Sequence, residues 1–562
     1  MPSHSSSSTT TATLAGRGLT LSRGAAPVLV DVDVTIGPEA RVWIIGPNGV
    51  GKTTLLEVLA SELRPDAGAV RAMPPAATVG YLPQELQPRP GERLADLLTR
   101  RTGIAAAEHE LSQAADALAA GEPQADERYA VALERYLSLG VPDFDARRGE
   151  VLDDLGIDER LLAVPTAGLS GGQRARAALA SLLLSRFDVL LLDEPTNDLD
   201  FDGLERLESF LHDRSGGFAV VSHDRVFLDK VVSEVLEIDE ASHRATAYAG
   251  GFAAYLEARA TARRHAEEAY ETYVRARDRL RAREREQRQW AVHGAASEKR
   301  NARDNDKAQR DFRINRTEKQ ASKVRITEKA LQRLETVDKP FEPWRLQLDL
   351  KAASRSGDVV VRLEGAVAHR GTWQLGPVDL EIAWGERVAV LGPNGSGKSS
   401  LLAAVLGQLP LGGGRRTFGA SVVVGALGQA RDRFAGAGAG AASTLLERFL
   451  QLTGLTVPEA RSLLAKFGVG ADHVARAASS LSPGERTRAE LALLMAAGTN
   501  CLVLDEPTNH LDLPAIEQLE VALAQWPGTL LLVSHDRRFL DHVDLTRRLA
   551  LDAGRVVEDS AA

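Results

Sequence analysis

The chain contains the sequence Gly46-Pro-Asn-Gly-Val-Gly51-Lys52-Thr53 and repeats it as Gly392-Pro-Asn-Gly-Ser-Gly397-Lys398-Ser399. Each copy follows a short apolar run and precedes a leucine-rich stretch, which is the strand–loop–helix context of a phosphate-binding loop. In such loops the backbone N–H groups face phosphate oxygens, the lysine reaches the β- and γ-phosphates, and the hydroxyl holds Mg²⁺. The sequence therefore predicts two nucleotide sites, with the loop residues Gly46, Asn48, Gly49, Gly51, Lys52, Thr53 and Thr54 in one and Gly392, Asn394, Gly395, Gly397, Lys398, Ser399 and Ser400 in the other.

A pair of carboxylates is repeated in the same order. Leu192-Asp193-Glu194-Pro-Thr-Asn197 returns as Leu504-Asp505-Glu506-Pro-Thr-Asn509, and each follows an apolar run typical of a buried parallel strand. Ligands bind at the carboxyl edge of such sheets. We therefore expect Asp193 and Asp505 to serve a metal ion through water, and Glu194 and Glu506 to polarise the attacking water.

A third repeat places a histidine after another apolar run. Val221-Ser222-His223-Asp224-Arg225 returns as Val533-Ser534-His535-Asp536-Arg537, and we expect His223 and His535 to contact a γ-phosphate. One such motif could arise by chance. Three motifs repeated in one order predict a tandem ATPase of the α/β class.

Composition narrows the class of protein. The 562 residues suffice for several domains with their own cores, and the apolar fraction of 44% is ordinary for a globular protein. The single cysteine, Cys501, has apolar neighbours and is expected to be a buried thiol in a reducing compartment. No run approaches the ~20 apolar residues that span a bilayer, and the polar N-terminus lacks the apolar core of a signal peptide. These features predict a cytoplasmic protein.

The spacing of the repeats predicts the domains. Lys52 and Lys398 lie 346 residues apart, whereas Asp193 and Asp505 lie 312 apart, so the first copy holds about 34 extra residues between these motifs. Between the copies the composition turns to Arg, Lys, Glu, Ala and Gln, which indicates two long helices with a turn near 290–298, at Gly294. We predict a disordered tail (1–13), a first ATPase domain (14–250) with a helical insertion (about 92–165), a basic helical-hairpin linker (251–339) and a second ATPase domain (340–562).

One further repeated motif carries a resemblance to a known family. Leu169-Ser170-Gly171-Gly172-Gln173-Arg174, matched by Leu481-Ser482-Pro483-Gly484-Glu485-Arg486, resembles the signature of ATP-binding cassette (ABC) ATPases. In that family the signature of one cassette completes the ATP site of the other, which implies a functional monomer with intramolecular cassette pairing. The resemblance implies ATP and Mg²⁺ as cofactors. It pairs the Lys52 site with Ser482 and Gly484, and the Lys398 site with Ser170, Gly171, Gly172 and Gln173.

The resemblance also implies further contacts. Gln84 and Gln429, with Thr53, Ser399, Asp193 and Asp505, would hold Mg²⁺, partly through water. Leu199-Asp200 and Leu511-Asp512 match the family's loop at the contact between cassettes.

The chain departs from the family's pattern in two places. Pro483 replaces the first signature glycine, which removes a backbone donor and fixes φ, and Glu485 replaces glutamine. We expect the Lys52 site to differ in rate or geometry for this reason. Arg23 and Arg370 occupy the places where an aromatic residue usually stacks on adenine; arginine can also stack on a base.

Two cassettes joined by a helical hairpin resemble the ABC-F class, over about residues 14–558. This class implies binding to the ribosome and action of the hairpin 251–339 on the P-site tRNA and the peptidyl-transferase region. Residues 259–333 contain 22 Lys and Arg and 12 Asp and Glu, a local charge of +10 in a chain of net charge −9, as binding to RNA phosphates requires. At the expected tip, Trp290 and its basic neighbours would contact RNA or pack the turn.

Several alternatives stay open at this point. The resemblance favours members that protect ribosomes from antibiotics over general translation factors, because the hairpin is long and the insertion modest. The charges of the linker could instead pair with each other in a solvated coiled coil. Another class is the ATPase subunit of a drug exporter that works with a separate membrane permease, although such a subunit has no need of a long basic linker. A third class is the DNA-repair ATPases of the ABC type. These carry longer coiled coils within a cassette and usually have metal-binding cysteines, whereas this chain has one cysteine.

Overall fold

The computed structural model describes residues 12–24, 26–83, 88–197, 199–300, 322, 325–334, 355–371, 373–428, 434, 443–509 and 511–562, with the backbone alone for 290–300 and 483. These residues form two compact units. The larger unit contains the first cassette (residues 12–252) and the second cassette (residues 355–562), and the smaller unit contains the helical residues from 253 onward. The α/β fold class with two ABC-type domains is confirmed.

A six-stranded sheet forms the centre of the first cassette, in the order β5-β6-β7-β3-β8-β9. Its strands are β3 (Arg41–Ile45), β5 (Val79–Leu82), β6 (Val189–Asp193), β7 (Phe218–Val221), β8 (Glu234–Ile238) and β9 (Ala245–Ala249). Neighbouring strands are parallel except for β8 and β9. β6 and β7 are buried along their whole length because apolar residues fill both faces. The phosphate loop after β3 and the carboxylates that end β6 therefore meet at one edge of the sheet.

A second, antiparallel sheet completes the first cassette. It has the order β2-β1-β4 and consists of β1 (Thr13–Arg23), β2 (Ala26–Ile36) and β4 (Ala67–Met73). Alternating burial along β2 reflects its alternating apolar and polar residues, so one face packs on the core.

The second cassette repeats this arrangement. Its central sheet has the order β14-β15-β16-β12-β17-β18, and its antiparallel sheet the order β11-β10-β13. The strands are β10 (Val359–Arg370), β11 (Trp373–Ala383), β12 (Arg387–Leu391), β13 (Leu411–Phe418), β14 (Val424–Leu427), β15 (Cys501–Asp505), β16 (Thr529–Val533), β17 (Arg547–Asp552) and β18 (Arg555–Ala561). Cys501 is buried at the start of β15, as its apolar neighbours predict.

Six of the eight helices of the first cassette have counterparts in the second, whose seventh, short helix (Ala471–Val474) lies where the first cassette has a 3-10 turn. The first cassette has α1 (Lys52–Leu59), α2 (Leu94–Arg101), α3 (Ile104–Ala119), α4 (Ala125–Ser138), α5 (Phe144–Asp154), α6 (Gly171–Leu183), α7 (Phe201–Asp213) and α8 (Arg225–Val231). The second has α10 (Lys398–Leu406), α11 (Leu445–Thr453), α12 (Val457–Lys466), α13 (Ala471–Val474), α14 (Pro483–Ala496), α15 (Leu513–Gln525) and α16 (Arg537–His542). Short 3-10 turns occupy Val141–Asp143, Glu159–Ala163, Thr166–Gly168 and Ala478–Ser480. α3 and α4, which pack on each other, have no counterpart among the described residues of the second cassette.

One long helix, α9 (Phe252–Arg300), begins the linker and accounts for most of the smaller unit. The turn that the sequence predicts near 290–298 is wrong, because the backbone stays helical through Gly294. One glycine costs a helix only about 1 kcal/mol, and its neighbours here are good helix formers. Residues 325–333 are also helical and lie beside α9. Arg288 donates to Glu328 at 2.9 Å, and Thr327 donates to Gln287 at 2.9 Å, so the chain returns alongside its first helix.

Some predictions fall outside the described residues. These are the tail 1–11, the side chains of the expected tip including Trp290, and the glutamines Gln84 and Gln429 predicted for Mg²⁺. None of the helices in the described ranges has the length and apolar character that crossing a lipid bilayer requires.

Candidate nucleotide-hydrolysing sites

Each phosphate loop connects a central strand to a helix, β3 to α1 and β12 to α10. Lys52 and Lys398 are the first residues of these helices, and both are buried. Nζ of Lys52 donates to the carbonyl oxygens of Gly46 (2.6 Å) and Pro47 (3.1 Å), and Nζ of Lys398 makes the equivalent bonds at 2.7 and 3.1 Å. Burial lowers the pKa of both lysines, and nearby carboxylates oppose this effect. The two ammonium groups thus lie inside their loops, where phosphate oxygens would be bound.

The loops require glycine where the backbone turns into the helix. Gly51 has φ 114° and Gly397 has φ 108°, a region that residues with a Cβ rarely adopt. A Cβ on Gly397 would also lie 2.5 Å from the Trp373 ring, and one on Gly51 would lie 2.8 Å from Val28. The other predicted loop residues occupy the same turns or the first turn of the helix: Asn48, Gly49, Thr53, Thr54, Gly392, Asn394, Gly395, Ser399 and Ser400.

A hydroxyl and a carboxylate meet beside each loop. The Thr53 side chain lies beside Asp193, and the Ser399 side chain lies beside Asp505, near enough to lower the pKa of each carboxyl. Burial raises the pKa of both carboxyls, although the hydroxyl and the neighbouring lysine act against it. No cluster of three His, Cys, Asp or Glu side chains suited to a metal occurs among the described residues. A hydroxyl with one carboxylate fits a hard cation such as Mg²⁺, which keeps several waters and takes other oxygens from phosphates.

Glu194 and Glu506 each lie next to the histidine from the neighbouring strand. Nε2 of His223 is 3.2 Å from Oε1 of Glu194, and Nε2 of His535 is 3.5 Å from Oε1 of Glu506. Both glutamates have φ 48°, a left-handed conformation that is costly for a residue with a side chain and that often marks functional sites. In both cassettes the carboxylate lies near enough to the loop lysine to raise the pKa of that lysine.

Burial sets the protonation of these groups. It raises the pKa of Glu194 to about 8, with Lys52 opposing and Asp193 adding to the effect. Burial, assisted by Lys52, lowers the pKa of His223 to about 3, and burial with Lys398 lowers that of His535 to about 4. Both histidines are therefore neutral at pH 7, so their contacts with the glutamates are not ion pairs.

Two polar atoms of the first site are available to a ligand. Within the described residues, Oε2 of Glu194 and Nδ1 of His223 are buried without a hydrogen-bonding partner. A buried polar atom without a partner costs about 1–3 kcal/mol, so a polar ligand or a water that bonds these atoms is favoured. This is what positioning a water molecule near a terminal phosphate requires.

The two cassettes contribute jointly to the second site. A cavity of about 1220 Å³ brings the first signature to the second phosphate loop and its carboxylates; its walls include Ser170, Gly171, Gly172, Lys398, Ser399, Asp505, Glu506 and His535. A Cβ on Gly172 would lie 3.6 Å from Asn394. The backbone N–H of Asn394 also donates to Asp200 of the first cassette at 2.8 Å.

The first site has the reciprocal contact. Asp512 of the second cassette lies close enough to Lys52 to act on its pKa, as Asp200 does on that of Lys398. The loop predicted to join the cassettes is thus found beside the opposite phosphate loop in both directions.

Both signatures open a helix in the same way. Ser170 accepts from the backbone N–H of Gln173 (3.3 Å), and Gln173 accepts from that of Ser170 (2.9 Å). Ser482 and Glu485 make the same reciprocal pair at 3.3 and 2.7 Å. Pro483 is the first residue of α14, where its fixed φ suits a helix and its missing N–H leaves no bond unmade, and Gly484 follows it. The departure from the family's signature therefore leaves the helix start intact.

The sequence pattern of the ABC transporter family matches residues 29–197 and 375–509, which hold both sets of motifs. The chain belongs to the ATP-binding cassette family. Its cassettes carry the family's ATPase motifs, and the protein binds and hydrolyses ATP.

Three relatives narrow the class. YdiF of Bacillus subtilis is 33% identical, covering 96% of this chain and 80% of that protein. The tylosin resistance ATP-binding protein TlrC of Streptomyces fradiae is 35% identical (91% and 92% covered). The energy-dependent translational throttle protein EttA of Mycobacterium tuberculosis is 31% identical (92% and 87% covered). These similarities over nearly whole chains place the protein in the ABC-F class.

A solved structure shows the same fold. The archaeal ribosome recycling factor aABCE1, in a crystal structure of its complex with the archaeal ribosomal stalk protein aP1, matches with a TM-score of 0.54 at 18% identity. The match covers 96% of this chain and 88% of that chain, so it extends over both cassettes.

Sequence reasoning missed two contacts between the cassettes of this ABC-F protein. Arg225 follows His223 by two residues. Its side chain is buried, forms an ion pair with Glu520 and lies 3.4 Å from Glu517. Arg537 is the equivalent residue of the second cassette; it lies 3.1 Å from Glu208 and 3.5 Å from Glu205. The sequence contains a signal for these contacts, because Arg225, Glu205 and Glu208 recur 312 residues later as Arg537, Glu517 and Glu520. We call these the Arg225 latch and the Arg537 latch.

The predicted base-stacking positions differ between the two sites. Arg23 donates to the Thr54 hydroxyl at 3.3 Å and lies 3.8 Å from Glu57. Arg370 lines the cavity of the second site together with Trp373, its partner across the β10–β11 turn. The sequence spacing predicts Arg370 and not Trp373 as the residue that stacks on the base, although Trp373 is the only Phe, Tyr or Trp within five positions of Arg370.

Proposed function

We propose that this ABC-F ATPase binds the ribosome and acts through its linker, residues 251–339, on the P-site tRNA and the peptidyl-transferase region. The observation that carries the proposal is the long charged helix between the cassettes. Two relatives, which are named as a tylosin resistance protein and a translational throttle protein, also support a role in translation.

The charges of α9 are only partly paired with each other. Arg263, Arg275 and Arg288 contact glutamates one helical turn away, as a solvated helix would arrange them. Arg279, Arg281 and Arg285 are exposed on the same helix, in a stretch with an excess of positive charge. Exposed arginines on a long helix suit contacts with RNA phosphates.

ATP hydrolysis would be carried out by the paired cassettes. Thr53 with Asp193, and Ser399 with Asp505, would hold Mg²⁺, with Gln84 and Gln429 as further ligands. The ion would neutralise charge on the phosphates. Glu194 and Glu506 would orient the attacking water, and the neutral His223 and His535 would donate to or accept from the terminal phosphate region. Ser170, Gly171, Gly172 and Gln173, and Ser482 with Gly484, would close the opposite sites with helix N-termini.

Protection from an antibiotic is the function we favour within this class, in keeping with the similarity to TlrC, and we place the protein in the cytoplasm. A general role in translation is the second candidate, and the similarity to EttA over 92% of the chain favours it. The two differ in an assay: a protection factor restores translation that a drug has inhibited, whereas a translation factor alters synthesis without the drug.

Co-sedimentation with 70S ribosomes tests the proposal. The Glu194→Gln/Glu506→Gln protein should bind ATP, hydrolyse it poorly, and pellet with ribosomes only when ATP is present. Because residues 287 and 288 contact 327 and 328, a shortened linker should replace 289–326 with a short glycine-serine connection, so that the contacting pairs remain.

The shortened variant should retain ATPase activity and lose its effect on translation. A variant with alanine at the exposed Arg279, Arg281 and Arg285 should show weaker pelleting at raised salt, and alanine at the exposed Arg17, Arg71 and Arg89 of the first cassette serves as its control. Failure of the Glu→Gln protein to pellet with or without ATP would reject the ribosome as its partner.

A further inference from the structure

A buried carboxylate lies at the second signature and has two basic partners. Glu485 accepts from the backbone N–H of Ser482 at 2.7 Å and closes the start of α14. Nε2 of His473 is 3.1 Å from the same carboxylate, and the Arg476 guanidinium is 3.2 Å from it. Arg476 also donates to the backbone oxygen of Ser480 at 2.7 Å, which ties it to the turn before the signature.

The first signature lacks all three of these residues. Its glutamine, Gln173, takes the place of Glu485, and the positions 312 residues before His473 and Arg476 are Leu161 and Val164. The correspondence is structural as well, because the backbone oxygens of Val164 and Arg476 accept from the first residues of α2 and α11. The acid and its two bases occur together in one cassette and are absent together in the other.

The charge of Glu485 matters because each signature faces the ATP site of the opposite cassette. A signature helix presents its N-terminus to the triphosphate of the opposite site, and an extra carboxylate there repels the phosphates. Gln173 makes the same capping bond as Glu485 without a charge. Burial opposes ionisation of Glu485, but the bonds from Ser482 and the charges of Arg476 and His473 outweigh it and keep its pKa below the usual range. The second signature therefore carries an ionised carboxylate that the first does not.

We propose that Arg476 and His473 are positioning residues of the Lys52 ATP site: both hold the Glu485 carboxylate on the cap of α14, and Arg476 offsets its charge, so that Ser482 and Gly484 can approach the triphosphate. The inference rests on the pairing of each signature with the opposite phosphate loop. The position of Asp512 beside Lys52 supports that pairing for this site. Neither residue touches the nucleotide; both act through Glu485.

If Arg476 acts in this way, ATP binding at the two sites depends on different residues. Loss of Arg476 exposes the phosphates at the Lys52 site to the charge of Glu485, whereas the Lys398 site faces the neutral Gln173. A partly exposed ion pair contributes up to about 1 kcal/mol, so ATP affinity at the Lys52 site should fall roughly fivefold. Glu485→Gln should make Arg476 dispensable.

ATP binding to the Glu194→Gln/Glu506→Gln protein tests this directly, with radiolabelled ATP and Mg²⁺ in a filter assay. Lys398→Ala in this protein leaves the Lys52 site to be measured, and Lys52→Ala leaves the other. With Lys398→Ala, Arg476→Ala should weaken binding roughly fivefold, and adding Glu485→Gln should restore it. With Lys52→Ala, Arg476→Ala should leave binding unchanged.

Two controls guard against a loss of folding. Arg476→Lys keeps a positive charge and should retain affinity, and Arg461→Ala removes an exposed arginine from α12 without touching the signature. Equal weakening at both sites, or no restoration by Glu485→Gln, would overturn the proposal. The assay contains no ribosomes, so its failure is distinct from failure of the proposed function.

Discussion

Removing Arg225 is expected to open the paired cassettes. Only 1% of the Arg225 side chain is exposed, and its partner Glu520 is 7% exposed. When the cassettes separate, water can solvate Glu520; when they close on an Arg225→Ala surface, the carboxylate is buried without its cation. Breaking a buried ion pair by removing one partner costs about 3–5 kcal/mol. Closure should therefore weaken by a factor of roughly 10² to 10⁴.

The Arg537 latch provides the matched comparison. The Arg537 side chain is 22% exposed, and of its two partners Glu205 is 70% exposed, whereas Glu208 is 12% exposed but also pairs with Lys230 and so keeps a cation when Arg537 is removed. Arg537→Ala should cost about 1 kcal/mol, which is a much smaller effect on closure. The double variant Arg225→Ala/Glu520→Ala should close better than Arg225→Ala alone, because it leaves no unpaired carboxylate.

Fluorescence energy transfer between the cassettes measures this closure. Dyes can be attached to cysteines introduced at the exposed Asp145 and Asp358, since the native Cys501 is buried. ATP is then titrated into the Glu194→Gln/Glu506→Gln protein and its latch variants. An effect of Arg537→Ala as large as that of Arg225→Ala, or a double variant worse than both single variants, would refute the reasoning from burial.

The remaining predictions concern Glu194, the carboxylate that we propose for catalysis, and the second nucleotide site. Glu194→Gln alone should lower the ATPase rate while leaving ATP binding intact; an unchanged rate would assign hydrolysis to the other site. Because burial raises the pKa of Glu194 from 4.5 to about 8, the folded state binds a proton over this range that the unfolded state releases. The thermal midpoint of the wild type relative to Glu194→Gln should therefore fall as pH rises from 5 to 8, and a constant difference would contradict it. Trp373→Ala should weaken ATP binding in the Lys52→Ala protein and leave binding in the Lys398→Ala protein unchanged, as followed by filter binding.

Much of the fold could be predicted because its motifs are local. A phosphate loop needs only a strand, a few glycines and a helix in succession, and apolar runs such as that of β6 identify strands buried on both faces. The repetition of these motifs in the same order then predicted two similar domains. The linker shows where local reasoning failed, because a glycine within a charged stretch indicates a turn, whereas the structure continues α9 through Gly294 to Arg300.

The sequence alone identified the residues that we propose carry the chemistry: the loop lysines, the carboxylates at the ends of β6 and β15, and the histidines that follow. Tertiary structure decided how they act. Gly172 approaches Asn394, and Arg225 is buried against Glu520, although these residues are distant in the chain. Trp373 lines the second site from a strand of its own. The raised pKa of Glu194 likewise comes from burial. A motif specifies residue types through short-range geometry, whereas burial and contact between cassettes depend on the packing of the whole chain.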